Sequence, residues 1–288
     1  MDKKNKKNKK NKSRNIKGRI NKSLKKKTTK IKKRIKRSLK KTLQKIKKRV
    51  LIDERIKNKY NIIDVPLDKE YNKGTKASSG FIDYDYQTLN NIIDFLNIEM
   101  KTKKNIYFFK PIDKSIIEIN LQKKSVKPIF TDLNNFIENI KKSYNKRYVP
   151  ITINIDLPEL GHANTVLIDH GLKHIEYFEP MGYKKEESTL GGMENGIRIK
   201  LNLLKAFFMQ LFPEYKFIIV GDYFKREGFQ MKYDSRNGYC VTWCILYLHY
   251  RLLNNNTPLE SLIRYLYYHI NLNKLLRYAR YIEKKLKL

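Results

Sequence analysis

The sequence predicts an α+β domain carried behind a strongly basic arm, and three observations predict it. Lys and Arg crowd the N-terminus, where residues 1–50 hold 26 of them against one acid, Asp2. Short strand-like runs cluster between Asn105 and Phe178, with helical periodicity on both sides. An apolar and aromatic stretch, Cys240 to Leu253, has no internal helix breaker and is bounded by Gly238 and by Asn254-Asn255-Asn256.

Over all 288 residues, 63 basic side chains face 28 acidic ones, a net charge of +35. Beyond residue 50 the balance is 37 to 27, so a moderately basic body follows the arm. The chain is 41% hydrophobic and 12% aromatic, which supplies a real core and excludes a wholly disordered protein. The longest uncharged apolar run, Gly238 to Tyr250, falls short of the roughly 18 residues of a membrane span. The opening Met1-Asp2-Lys3-Lys4-Asn5 leads into no apolar segment, so a secretory leader is not expected. Two cysteines, Cys240 and Cys244, make no disulfide framework. Thiol chemistry in a reducing compartment, cytoplasm or nucleus, is the expectation.

Residues 1–60 read as the arm. Its first 15 residues repeat Lys-Lys-Asn and cannot bury surface, which predicts disorder. From there Ile16, Ile20, Leu24, Ile31, Ile35, Leu39, Leu43, Ile46 and Val50 recur mostly at intervals of three, four or seven, the stripe of a basic amphipathic helix. Such a helix suits a polyanion: a nucleic-acid backbone, an anionic membrane surface or an acidic protein. Residues 61–80, with Pro66, Gly74 and Ala77-Ser78-Ser79-Gly80, read as a linker, and residues 81–288 as the folded domain.

Within that domain, Gln87–Met100 and Asp132–Tyr144 read as helices, while Asn105–Phe109, Ile116–Leu121 and Tyr148–Ile155 read as strands. Asn164–Ile168 and His174–Phe178 are two more strand-like runs around Asp169-His170-Gly171-Leu172, a tight-hairpin signal. With His170 and Gly171 as the loop, His162 opposes Glu179, their β-carbons about 5 Å apart. Gly196–Phe212 reads as an amphipathic helix, Lys216–Val220 as a strand, and Gly221–Gly238 as a polar loop containing Gln230. Cys240–Leu253, Pro258–Ile270 and Lys274–Leu286 complete a helical C-terminus.

The chemistry follows from this placement. A cysteine is a nucleophile as thiolate, and a helix N-terminus and a neighbouring imidazole both favour that form. Cys240 has the first by position. His162 is the candidate base, Glu179 the candidate for holding its tautomer, and Gln230 with the Cys240 backbone N–H the candidate oxyanion donors. No cofactor is called for.

The order His162, Glu179, Gln230, Cys240, with the strand Tyr148-Val149-Pro150-Ile151-Thr152-Ile153-Asn154 ahead of the histidine, resembles the adenovirus-endopeptidase and ubiquitin-like-protein-specific protease clan of cysteine peptidases. More narrowly, Ile175-Glu176-Tyr177-Phe178-Glu179-Pro180-Met181-Gly182, Phe229-Gln230 and Gly238-Tyr239-Cys240-Val241-Thr242-Trp243-Cys244 resemble peptidase-like proteins of large DNA viruses. The resemblance spans about residues 145–260. It implies a papain-like α+β fold with permuted catalytic order and hydrolysis of peptide or isopeptide bonds through an acyl-enzyme. The substrates it implies are viral precursors or ubiquitin-like proteins, in host cytoplasm or nucleus and with packaging in a virion. The sequence departs from the clan at Ala163, where an aromatic residue is frequent, at Glu179 in place of Asp, and in the ten residues between Gln230 and Cys240.

The alternative reading is a non-enzymatic basic nucleic-acid-binding or virion structural protein with an inactive peptidase-like body. Cys244 reads as a core residue, since the spacing of zinc sites is missing; Trp243 reads as core as well, and His249 and His269 read as structural residues on helical segments rich in Tyr and Leu. His170 and His174, beside Asp169 and Glu176, offer metal-ligand types but read as solvent-facing groups at a turn tip.

Overall fold

The structure, a computed structural model, describes residues 34–42, 44, 54–69, 89–109, 115–120, 122–129, 131–156, 162–182, 193–224, 227–233 and 239–287. The chain divides into two compact units, Met1–Arg55 and Ile56–Leu288. In the first, residues 34–42 are helical and wholly exposed, with Ile35 and Leu39 one turn apart. Residues 44 and 54–60 of the expected arm are helical as well, while the remainder, including the segment expected to be disordered, lies outside the described residues.

The second unit is a six-stranded mixed sheet between two helical layers. Its elements are α1 (Leu89–Glu99), β1 (Ile116–Asn120), β2 (Ser125–Pro128), α2 (Leu133–Lys142), β3 (Tyr148–Asp156), β4 (His162–Asp169), β5 (His174–Phe178), α3 (Met193–Leu211), β6 (Lys216–Ile219), α4 (Phe229–Tyr233), α5 (Cys240–Leu253), α6 (Leu259–His269) and α7 (Leu272–Leu286). The strand order is β2-β1-β3-β4-β5-β6. β1 runs parallel to β3 and β5 to β6, while the central β3-β4-β5 meander and the β1-β2 pair are antiparallel.

Alternation assigns the two faces. In β4, Ala163 and Leu167 join a core built with α1, α5, α6 and α7, while Val166 and Ile168 join a second core with α2 and α3. α5 is buried around its whole circumference: every residue from Val241 to Leu252 is buried, Arg251 among them through its ion pair with Glu176. α2 starts where Asp132 accepts a hydrogen bond from the Asn135 N–H.

Four expectations need correction. The hairpin has a four-residue loop, and its pairs are Thr165 with Phe178 through Asp169 with His174. The cause is the Asp169 carboxylate, which accepts from the N–H groups of Gly171 and Leu172 at 3.0 and 3.1 Å, with Lys173 at φ +52° closing the turn. His162 and Glu179 are therefore not directly opposite. The shift is by two positions, though, and the period of a strand keeps both on one face.

The segment 61–69 of the expected linker is packed. Ile62 and Val65 are buried, Asn254 brackets the backbone of Ile63 at 2.6 and 2.9 Å, and the Asp68 N–H donates to the Arg277 carbonyl at 3.1 Å. Two apolar side chains three apart and a buried amide hold it, so the compact body begins before Phe81. Residues 70–80 lie outside the described residues. Finally, Asn105–Phe109 forms a single bridge, Ile106 to Tyr148, and the expected polar loop 221–238 contains α4, which buries Phe229 and Gln230.

Candidate active site

The site forms where β4 begins, β5 ends and α5 begins. Cys240 is the first residue of α5 and is partly exposed; Cys244, one turn on, is buried with its thiol directed at the Ala163 carbonyl, 3.5 Å away. That contact seats the helix on the start of β4. One turn nearer the helix N-terminus, the Cys240 side chain then meets the residue before Ala163, and its thiol lies near enough to the His162 ring to raise the imidazole's proton affinity.

His162 uses Nε2 for Glu179, 2.6 Å from Oε1, which leaves Nδ1 as the ring nitrogen for the thiol. Burial alone would lower the imidazole's proton affinity. The Glu179 charge and the nearby Cys240 thiol outweigh burial, and the His162 pKa is pushed up to about 9.

Glu179 is itself buried and collects several donors. Oε1 also accepts from the Met181 N–H at 3.1 Å; Oε2 accepts from Lys200 Nζ at 2.5 Å and lies 3.4 Å from the Tyr177 hydroxyl. Burial opposes the carboxylate, but the charges of His162 and Lys200 hold it well below the usual carboxylate range. The two thiols contrast: burial pushes that of Cys244 well above its ordinary value, whereas Cys240 stands at the rim beside an imidazole.

Gln230 is 5% exposed, and its Oε1 has no hydrogen-bond partner among the described residues. Its backbone is tied to the loop after Glu179: Gln230 N–H donates to the Pro180 carbonyl at 2.9 Å and Gly228 N–H to the Met181 carbonyl at 3.2 Å. Here the two backbones pass so closely that a β-carbon on Gly182, at φ +81°, would stand 2.3 Å from the Gly228 nitrogen. On its other side, Phe229 stacks on Trp243 of α5 with centroids 5.2 Å apart. α4 thus bridges the loop that carries the acid and the helix that carries the thiol.

Reading the sequence alone misses Lys200 and Tyr177. Lys200 left a signal: with Leu204 and Phe208 it forms an i, i+4, i+8 row, and both partners are buried, so a lysine occupies a core position of α3. Tyr177 lies against both Asn164, 2.5 Å from Oδ1, and Glu179.

His170 and His249 are engaged elsewhere. His170 is not a solvent-facing tip residue: its ring nitrogens meet Ser143 Oγ at 2.9 Å and the Tyr215 hydroxyl at 2.7 Å. Asp169 binds Arg147 and Glu176 binds Arg251, so these acids serve ion pairs. His249 lies buried against the Tyr278 hydroxyl at 2.8 Å, and burial lowers its pKa to about 3.

No protein-family model matches the chain, and no curated protein matches it. Among solved structures, the chain is similar to ChlaDub1 from Chlamydia trachomatis (14% identity, 69% of this chain and 91% of that one, TM-score 0.39). It is similar to the Chlamydia trachomatis effector Cdu1 bound to ubiquitin (13%, 69% and 93%, TM-score 0.40). It is also similar to the C-terminal Ulp1 protease domain in complex with Smt3, the yeast ortholog of SUMO (13%, 81% and 91%, TM-score 0.38).

Proposed function

We propose that the protein is a cysteine peptidase with a permuted, papain-like catalytic order, in which Cys240 is the nucleophile, His162 the base and then the acid, and Glu179 the group that orients the imidazole. The observation that supports this reading is the His162 ring set between the Cys240 thiol, which raises its proton affinity, and Glu179 Oε1, 2.6 Å from Nε2.

In this mechanism Nδ1 of His162 takes the thiol proton, and the sulfur attacks the carbonyl carbon of the scissile bond. The oxyanion is met by the Cys240 backbone N–H and by the Gln230 amide, which α4 holds beside the thiol's helix. Collapse breaks the C–N bond, the imidazolium delivers its proton to the leaving amine, and a thioester remains on Cys240. Water then attacks the thioester while His162 removes its proton, which returns to the sulfur as the acid leaves. An imidazole with a pKa of about 9 holds a transferred proton through neutral pH. The carboxylate supplies that affinity and fixes the ring by its contact with Nε2.

The sequence resemblance narrows the reaction to peptide or isopeptide bonds of viral precursors or ubiquitin-like proteins, within a host cell and a virion. The basic arm, with 26 Lys and Arg in its first 50 residues, would hold the enzyme to a polyanion such as nucleic acid or an anionic surface.

The test is thiol alkylation in the full-length protein. Iodoacetamide at pH 7 should label Cys240 well ahead of Cys244, and His162→Ala should slow labelling of Cys240 at least tenfold. Equal rates in parent and His162→Ala would overturn the assignment.

A further inference from the structure

Lys200 has no part in the chemistry described above, yet it is among the most costly side chains in the molecule to place where it is. It is 4% exposed, on α3, a helix whose neighbouring core positions hold Leu204 and Phe208. An ammonium in such a position is stabilised only by a counter-charge. The one it meets is the acid of the candidate triad: Nζ lies 2.5 Å from Glu179 Oε2, while Oε1 serves His162 at 2.6 Å. Two cations on separate elements, one of them titratable, thus divide a single buried carboxylate.

We propose that Lys200 is a positioning residue for this site. By holding Oε2 it pins the carboxylate with Oε1 toward His162 Nε2, and its positive charge limits how tightly His162 holds a proton while favouring negative charge on Cys240. The inference rests on the cysteine-peptidase reading and adds a fourth member to it.

Two opposed effects meet at the imidazole. Glu179 alone, buried beside His162, would stabilise the imidazolium strongly, and an imidazolium held too firmly is a poor donor to a leaving amine. A second fixed cation on the far oxygen opposes that stabilisation and costs no reorganisation during reaction. The other groups facing this set do not substitute for it. Tyr177 on β5 offers a neutral hydroxyl 3.4 Å from Oε2, and its own pKa is raised well above the ordinary value by burial. From α5 come Cys240 and Cys244, and from the loop the neutral Met181 N–H. Among these, Lys200 is the group that brings an ammonium to the carboxylate.

The test measures iodoacetamide labelling of Cys240 against pH in the full chain for the parent, Lys200→Met, Lys200→Gln and Lys200→Arg, with His162→Ala as reference. Removing a cation about one carboxylate's width away should move the half-maximal pH of labelling upward by about one unit in Lys200→Met, about tenfold slower labelling below that pH. Lys200→Gln keeps a donor to Oε2 without the charge and should shift in the same direction by less. Lys200→Arg should restore the parent's profile. A parent-like profile in either neutral variant, or a Met-like profile in Lys200→Arg, would overturn the role. Should Lys200→Met fail to fold, Lys200→Gln and Lys200→Arg decide between these outcomes. If instead the parent and His162→Ala already share one profile, it is the thiol–imidazole assignment that fails, and the two failures stay distinct.

Discussion

Glu176 and Glu179 stand three residues apart at the end of β5, both buried, and they illustrate opposite uses of a carboxylate. Glu176 points into the core under α5, where Arg251 grips it with three nitrogen–oxygen contacts of 2.9 to 3.2 Å and the Tyr247 hydroxyl donates at 2.9 Å. Its principal cation is a guanidinium, which stays charged across the accessible pH range. Glu179 projects on the other side, at the sheet's end, and divides itself between Lys200 and the titratable His162. The lesson is that burial alone does not mark a functional acid. What separates the two is the partner: a fixed, bidentate one that locks the fold, or a proton-exchanging one joined to a partly exposed thiol.

The largest effect should come from breaking both pairs in turn. Glu176→Gln leaves the buried Arg251 guanidinium with the longer 3.9 Å contact to Asp169 in place of its close pair and should cost about 3–5 kcal/mol of stability. The labelling rate of Cys240 in the folded fraction should remain that of the parent. Glu179→Gln strands a buried cation, Lys200, and should destabilise the protein, but in addition it should slow Cys240 labelling at pH 7 by about tenfold or more. Denaturant melts paired with iodoacetamide kinetics check both. Equal labelling losses in the two variants would erase the distinction between the carboxylates.

Much of this arrangement was legible in the sequence, for reasons that can be named. The Cys240 helix was readable because a helix buried on all sides leaves an unbroken apolar run, and its structure spans the expected Cys240–Leu253. The shared face of His162 and Glu179 was readable because strand parity survives a register error of two. The register itself was not, because the Asp169 side chain, rather than the glycine after it, sets the loop. The burial of Lys200 was readable from its row with Leu204 and Phe208, but its partner Glu179 and the Gly182–Gly228 approach stayed hidden, because each joins segments far apart in sequence through contacts that no local periodicity encodes. The packed strap at 62–68 was masked by Pro66, a residue that argues for a loop but says nothing of whether that loop is buried.

A pH series tests the titratable partner of Glu179 directly. His162 has a folded pKa of about 9 against an ordinary value of 6.5. Because the folded state binds the proton more tightly, the resulting stabilisation is fully present below about pH 6.5 and disappears as pH rises through about 9. The parent's stability advantage over His162→Ala should therefore shrink across that window, by at most about 1.4 kcal/mol per pH unit. Melts at pH 6, 7.5 and 9.5 would measure it. An advantage that stays level over this range would mean that His162 carries no such proton and that its contact with Glu179 is as static as that of Arg251 with Glu176.

The smallest expected effect separates the two hydroxyls that attend these acids. Tyr247 donates squarely to Glu176 Oε2 at 2.9 Å, so Tyr247→Phe removes a hydrogen bond to a buried charge and should cost about 1.5–3 kcal/mol. Tyr177 sits 2.5 Å from Asn164 Oδ1 and only 3.4 Å from Glu179, so its proton belongs to the amide. Tyr177→Phe should therefore lose about 1 kcal/mol, the worth of a neutral hydrogen bond, and should change Cys240 labelling by less than about twofold, since His162 and Lys200 still hold both carboxylate oxygens. A larger kinetic loss in Tyr177→Phe would show that the hydroxyl turns toward Glu179 when His162 carries its proton, and would add Tyr177 to the groups that set the basicity of the imidazole.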